Sequence, residues 1–447
     1  MDYREALTYL YSFADYERLT RMPYGPAAMN LPRTERLLAR LGDPHRAYPI
    51  IHIAGTKGKG STAALVAAAL QAAGYRVGLY TQPHLHTYRE RIRINGCLIS
   101  PTELADLVAA VRPHVEAVHQ TAPDLGRLTT YEIGTALALW HFARQRVDIA
   151  VLEVGLGGRL DATNVVTPTV AAITLIGYDH TQVLGNTLAA IAGEKAGIIK
   201  PGGVVVSAPQ PAEALAVIAA RCRERRARLV LVGYDTPLAE VLDGGQVPGR
   251  PYQVVRLPGL GQQPFPLPLL GAHQAVNAAV ASAILAECHA AGIPVPPSAI
   301  RAGFARVAWP ARLEILAERP LVVADGAHNL ESARALARAL TDCCRYRRLF
   351  LVLAILADKD IPAIARALVP LAEQTIVTRT AHPRAAAPET ILAALPVGAR
   401  AATAPSVAEA LEVARAQAGP DDLICVTGSL SAAAEARTAL GRAVESD

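Results

Sequence analysis

Residues 50–62, Ile50-Ile51-His52-Ile53-Ala54-Gly55-Thr56-Lys57-Gly58-Lys59-Gly60-Ser61-Thr62, run from an apolar strand through a glycine-rich turn into an alanine-rich helix. A buried strand feeding a helix through so short a turn is a βα unit, and βα units assemble into mostly parallel sheets. The glycines let backbone N–H groups close on phosphate oxygens, while the helix directs the positive end of its dipole at the same point. Lys59 can reach terminal phosphates, and Ser61 or Thr62 can set a hydroxyl on bound Mg²⁺. The match to the usual phosphate-loop pattern is partial. Gly60 separates the lysine from Ser61, and Ile53 stands where the pattern's first glycine would be. The alternative is an ordinary βα turn that happens to carry two lysines.

A chain of 447 residues exceeds one ordinary core, so two or three domains are expected. With 51% hydrophobic and 19% charged residues it reads as globular rather than disordered. The net charge of +5 is small, and no basic block interleaves with aromatics, which argues against nucleic acid as a partner. Residues 221–228 hold five arginines, but Glu224 lies among them and a solvated helix face is expected. The six cysteines are scattered and never spaced Cys-x-x-Cys, which speaks against a zinc site or disulfide framework and suits a reducing cytosol. The N-terminal residues lack a signal peptide's apolar core, and the apolar run near Leu349–Ala357 is too short to span a bilayer. A cytoplasmic protein with no membrane partner is expected.

After the first loop, β-like segments (Tyr75–Tyr80, Val147–Val154, Val170–Leu175, Val204–Ser207) alternate with apolar helical stretches. From about Val241 to Pro268 glycine and proline crowd together, and a compact β insertion or a long loop is expected. A helix begins near Gly271, a break falls at Val307-Ala308-Trp309-Pro310, and alternation resumes through Leu321–Ala324, Leu349–Ala354, Thr375–Thr378 and Leu423–Val426. The fold class is therefore α/β: a P-loop-type ATP-binding domain with a mostly parallel sheet (residues 1–307), then a smaller Rossmann-like α/β domain (308–447).

Three further segments carry chemistry. The strand Val151–Glu153 ends on a carboxylate and opens into Gly155-Leu156-Gly157-Gly158. A carboxylate at a strand end beside a phosphate loop is the usual second handle on Mg²⁺. Tyr178-Asp179-His180 follows the strand Val170–Leu175, and Glu194-Lys195 closes a helical stretch. Taken singly, His180 is a loop histidine and Lys195 a surface partner of Glu194; as loops after strands of one sheet, both could face the nucleotide.

These residues carry a specific resemblance. His52–Thr62, Tyr80–Gly96, Thr129–Glu132, Val151–Asn164, Asp179–Lys200, His273–Asn277, Trp309–Glu314, Asp325–Asn329 and Asp358-Lys359-Asp360 resemble, in order, the folylpolyglutamate synthase/dihydrofolate synthase family of the Mur ligase superfamily. The resemblance implies ATP-dependent amide formation between a pteroate or folate carboxylate and the amine of L-glutamate, through an acyl phosphate. It implies that Gly55, Thr56, Gly58, Lys59, Gly60, Ser61 and Thr62 hold the ATP phosphates, with Asn277, Arg312, Asp325 and His328 as further ATP contacts. Ser61 and Glu153 would serve one Mg²⁺, and His180 with Lys195 a second, Lys195 being carbamylated. Lys59, His180 and Lys195 would act in catalysis. Thr129, Tyr131, Glu132, Leu160, Asp161 and Ala162 match segments bordering the pterin in bifunctional members, and Arg21–Pro26 would cover it. A monomer that acts on both dihydropteroate and folates is expected.

Three positions depart from the family pattern. Lys57 replaces the asparagine of Gly-Thr-Asn-Gly-Lys, Gln82 replaces the metal-associated serine of Ser-Pro-His-Leu, and Ala311 replaces a glycine before Arg312. The Gln82 amide oxygen could ligate Mg²⁺ or bind a bound water. Two rivals stand beside the leading reading: a Mur-type ligase for a non-folate carboxylate, and a non-catalytic nucleotide-driven switch.

Overall fold

The computed structural model describes residues 1–15, 25, 28–242, 246–247, 250–261 and 263–443. Two sheets organise them. The larger has eight strands in the order Cys97–Leu98, Ile92–Ile94, Val77–Tyr80, Ile149–Glu153, Ile50–Ala54, Val170–Ile173, Val204–Ser207, Arg228–Leu231. The six from Val77–Tyr80 onward pair in parallel, and the first two form an antiparallel hairpin on their edge. Ile50–Ala54 and Ile149–Glu153 are buried along their whole length, as expected of strands covered by helices on both faces.

This register fixes the site. Ile50–Ala54 lies between Ile149–Glu153 and Val170–Ile173, so the loops leaving all three open side by side at the sheet's carboxyl edge. One face of the sheet is covered by the helices Lys59–Ala72, Ala272–Ala290 and Pro297–Phe304 around one large core. On the other face the helices Tyr3–Tyr11, Leu31–Arg40, Pro101–Thr121 and Thr130–Arg144 share a second.

The second sheet runs Glu314–Glu318, Leu321–Ala324, Leu423–Thr427, Leu349–Leu353, Gln374–Val377, Ala401–Thr403, all parallel except the first pair. The glycine- and proline-rich stretch is a β insertion: Glu240–Leu242, Gln253–Arg256 and Phe265–Leu267 form a three-stranded antiparallel sheet, and Val255, Leu257, Phe265 and Leu267 pack into the first core. The arginine-rich segment differs from expectation at its end. Arg221, Arg223 and Arg225 lie on the helix Ala212–Arg225, but Arg228 begins the strand Arg228–Leu231 and pairs with Glu287. Arg226 reverses the chain in the left-handed region (φ 51°), which ends the helix two residues before the strand.

Among the described residues no helix is long and apolar enough to cross a membrane. All six cysteines are free, and only Cys97 is exposed.

Candidate functional site

The phosphate loop is built by close approach. Gly58 sits at φ 90°, and a side-chain carbon there would stand 2.3 Å from Asn277 Oδ1. A side-chain carbon at Gly55 would stand 1.8 Å from Thr174 Oγ1. Only glycine fits at either place. Thr56 and Lys57 donate backbone N–H groups to Leu175 O (3.0 and 3.1 Å), which ties the turn to the neighbouring strand's loop. The helix Lys59–Ala72 starts directly behind it.

Around that turn the structure gathers buried charge. Lys195 is 5% exposed, and its Nζ donates to Gly55 O at 2.9 Å. Burial first, then the charge of Lys59, lowers its pKa to about 7. Lys195, Lys59, His180, Asp179 and Gly55–Thr56 line one recess of about 270 Å³. His180 is held near 4, chiefly by desolvation against the recess and against the opposing pull of Asp179.

Glu153 is buried beside the helix start, its Oε2 3.3 Å from where a side-chain carbon on Gly60 would be. Its one hydrogen bond among the described residues, from Gln82 N, is long at 3.3 Å. Burial raises its pKa against the charges of Lys59 and Arg312. Glu153, Gly60, Gln82, Trp309 and Arg312 line a second cleft, of about 450 Å³ and open to solvent, between the two sheets.

The donor chemistry fits Mg²⁺. Glu153 is a buried, under-bonded carboxylate beside Gly60, which precedes Ser61 and Thr62 in the chain, and Thr62 Oγ1 is buried with no hydrogen-bond partner among the described residues. Among the described residues no three His, Cys, Asp or Glu side chains gather as a cage. Mg²⁺ typically takes one or two carboxylates and completes its octahedron with phosphate oxygens and water.

From the second sheet, Arg312 lies in a tight turn with Ala311 and Leu313 both at positive φ (57° and 42°). This is why glycine suits the position before the arginine. Asp325 clamps the turn by accepting from Leu313 N (2.7 Å) and Ala327 N (2.8 Å). Burial raises its carboxyl and the Arg312 charge opposes the rise. His328 and Asn329, at the start of the helix Leu330–Cys343, reach Asp179 across the cleft; Asn329 Nδ2 donates to its Oδ2 at 3.2 Å. Lys57 donates to the same oxygen at 2.8 Å. The lysine that departs from the family pattern is thus paired with a carboxylate, in a bridge that joins the phosphate loop to the second sheet. Burial pushes Asp179 up, but His328 and Lys57 together hold it well below the usual carboxylate range.

The predicted pterin set divides. Thr129 and Glu132 form a capping box, and buried Glu132 also binds Arg33 at 2.9 Å, so both serve the start of the helix Thr130–Arg144. Tyr131 turns the other way. Its ring stacks on Tyr80 with centroids 6.4 Å apart, and its hydroxyl meets Asp161 Oδ1 (3.1 Å) and Gln82 Nε2 (2.7 Å). Leu160 is half-buried and Ala162 buried on the same loop. The Arg21–Pro26 segment lies outside the described residues apart from Gly25. Sequence reasoning missed His52, whose Nε2 is 2.8 Å from Thr163 Oγ1 and whose pKa burial lowers to about 3.

A phosphate loop facing a second α/β body across a charged cleft defines a two-lobed nucleotide-binding protein. The Mur ligase middle domain matches residues 53–285, and the Mur ligase glutamate ligase domain matches residues 311–430. The dihydrofolate synthase/folylpolyglutamate synthase of Bacillus subtilis is 36% identical over 410 residues, 90% of this chain and 92% of that protein. A probable bifunctional folylpolyglutamate synthase/dihydropteroate synthase of Haloferax volcanii is 38% identical over 99% of this chain, which spans only 51% of that longer protein. The structure of Mycobacterium tuberculosis folylpolyglutamate synthase complexed with ADP superposes with a TM-score of 0.87 at 36% identity, covering 99% of this chain and 100% of that one. The chain belongs to the dihydrofolate synthase/folylpolyglutamate synthase family of Mur ligases.

Proposed function

We propose that this protein is an ATP-dependent ligase that joins L-glutamate to the carboxylate of dihydropteroate and of reduced folyl-glutamates. The observation that carries the reading is that Lys59 and Lys195 line the recess that His328 reaches through Asp179, while Glu153 lines the second cleft together with Arg312 of the other sheet. Residues 1–307 serve as the ATP-binding unit and 308–447 as the glutamate-ligase unit.

A carboxylate is a poor electrophile. Its oxygen attacks the γ-phosphorus of ATP, the bond to the β-γ bridging oxygen breaks, and ADP leaves an acyl phosphate. The glutamate amine then adds to the acyl carbon, loses a proton, and the tetrahedral adduct expels phosphate. Both steps move negative charge over phosphoryl and acyl oxygens, where Lys59 and Arg312 stabilise it. Glu153 and Ser61 would hold one Mg²⁺, and His180 with carbamylated Lys195 a second, which would add charge neutralisation on those oxygens. Lys195 suits carbamylation: with its pKa near 7, a large fraction of the amine is neutral and nucleophilic toward CO₂. Loss of one proton frees the amine, and the new N–C bond with loss of a second proton leaves a carbamate, so a cation becomes an anionic oxygen ligand. Closure of the two units shields the acyl phosphate from water.

The test is Mg²⁺-ATP turnover with labelled L-glutamate and dihydropteroate, tetrahydrofolate or no acceptor. Label is expected in product with both acceptors. ATP binding with no acceptor-dependent turnover would overturn the folate assignment.

A further inference from the structure

Gln82 is where this chain parts from the family's serine, and the structure gives it work the shorter side chain could not do. Its Nε2 is 2.7 Å from Tyr131 Oη and lies where a side-chain carbon at Gly155 would be only 2.4 Å away. Its backbone N–H is the group that meets Glu153 Oε2.

The directions of these bonds follow from donor supply. Asp161 Oδ2 accepts from Gly155 N and Leu156 N, both at 3.0 Å, and Oδ1 accepts from Thr163 N and Thr163 Oγ1. With both oxygens occupied by donors, Asp161 is the acceptor for Tyr131 as well, and the tyrosine's single O–H is spent there. The Tyr131 oxygen can then only accept from Gln82, which fixes the amide with its NH₂ toward the ring and its carbonyl on the opposite edge. From the far side, neutral His52 meets the Thr163 hydroxyl that donates to Asp161. Every proton in the chain His52–Thr163–Asp161–Tyr131–Gln82 is thereby directed.

We propose that Gln82 is a positioning residue for the acceptor: its side-chain amide locks the Tyr131 hydroxyl onto Asp161 and so presents the Tyr131 ring, while its backbone holds the adjoining Glu153 carboxylate. A serine cannot span to Tyr131, so this chain orders the acceptor side of the cleft by a device of its own. The inference rests on the folate-ligase reading and adds to it which residue sets acceptor affinity.

The test compares Gln82→Met, Gln82→Glu, Tyr131→Phe and the Gln82→Met/Tyr131→Phe double variant in the full chain. Dihydropteroate Kd is measured by calorimetry, alongside KM for each substrate and kcat. Loss of one hydrogen bond is expected to raise acceptor Kd and KM about tenfold, with kcat and the MgATP KM within about twofold. The double variant is expected to be no worse than Tyr131→Phe alone, since loss of the hydroxyl already removes the contact that Gln82→Met breaks. Gln82→Glu keeps the length but has no proton to give, and is expected to match Gln82→Met. Unchanged acceptor Kd in Gln82→Met, wild-type Kd in Gln82→Glu, or additive losses in the double variant would each overturn the proposal. If wild-type protein neither binds nor turns over the acceptor, the function reading falls and this inference with it. An active wild type with an indifferent Gln82→Met overturns the inference alone.

Discussion

The two walls of the cleft handle charge in opposite ways. On the wall of the eight-stranded sheet, Glu153 and Lys195 are buried with one hydrogen bond each among the described residues, and burial drives both toward their neutral forms. On the wall of the six-stranded sheet, Asp325 is part-buried and its carboxyl is likewise raised, but it accepts two short backbone N–H bonds. An under-bonded buried charge is costly unless something arrives to complete it, whereas a saturated one holds its own loop. The difference assigns the first wall to binding and chemistry. It assigns the second to shape: Asp325 fixes the turn that carries Arg312.

The largest effect should fall on the under-bonded wall. Glu153→Gln and Lys195→Ala are each expected to lower kcat at least about 100-fold with little loss of stability, as removing a group that meets developing charge commonly does. Asp325→Asn should instead cost stability first, through its lost clamp. Steady-state kinetics paired with urea unfolding separates the two. A Glu153→Gln enzyme with near wild-type kcat would break the comparison. For Lys195, protein equilibrated with ¹³CO₂ should show a carbamate carbon resonance that Lys195→Ala lacks.

A middle-sized effect concerns the segment that spans both walls. Glu90 accepts from His86 N (2.8 Å), Leu85 N (3.1 Å) and Thr87 N (3.1 Å), while His86 Nε2 contacts Ala434 O (3.0 Å) of the second unit. Burial pushes the Glu90 carboxyl up, but the bonds from His86 and its neighbours outweigh this and hold it at about 2, against 4.5 when free. A folded-state pKa below the unfolded value means stability that is complete above pH 4.5 and lost as pH falls toward 2. The shift corresponds to about 3 kcal/mol. Glu90→Gln should therefore be destabilised by about 2–3 kcal/mol at pH 7, with the gap to wild type closing toward pH 2. A constant gap across that range would show that Glu90 acts through packing and not through its charge.

How far these walls were legible in the sequence differs by kind of contact. Buried parallel strands announce themselves as apolar runs, and Val204–Ser207 and Leu321–Ala324 have the expected bounds to the residue. The hairpin of Ile92–Ile94 and Cys97–Leu98 went unread although it carries Asn95-Gly96, both at positive φ, a strong two-residue turn signal. The strand Glu314–Glu318 was missed because it is an edge strand whose charged ends mask its alternation. In the site, Lys59, Glu153 and Lys195 stand out because local glycine patterns and family motifs flank them. The Gln82–Tyr131 and Asp179–Asn329 contacts do not, because they join positions 49 and 150 residues apart, and nothing local marks either partner. The pairing of Lys57 is hidden for the same reason: its partner Asp179 lies 122 residues away.

The smallest expected effect tests whether the second wall is relaxed. Ala311 is fully buried at φ 57°, in a core cluster with Leu316, Ala432 and Ala433. The left-handed region costs an alanine about 1–2 kcal/mol, which glycine would relieve. Glycine in turn gives up about 0.8 kcal/mol of buried methyl and about 0.5–1 kcal/mol of chain entropy. These terms nearly cancel, so Ala311→Gly should move unfolding free energy by no more than about 0.5 kcal/mol in urea. The cancellation also accounts for alanine standing where the family has glycine. A gain beyond about 1.5 kcal/mol would mean that the turn stores strain well above the usual left-handed cost. The second wall would then be loaded rather than settled, and Arg312 would be released by closure instead of carried by it.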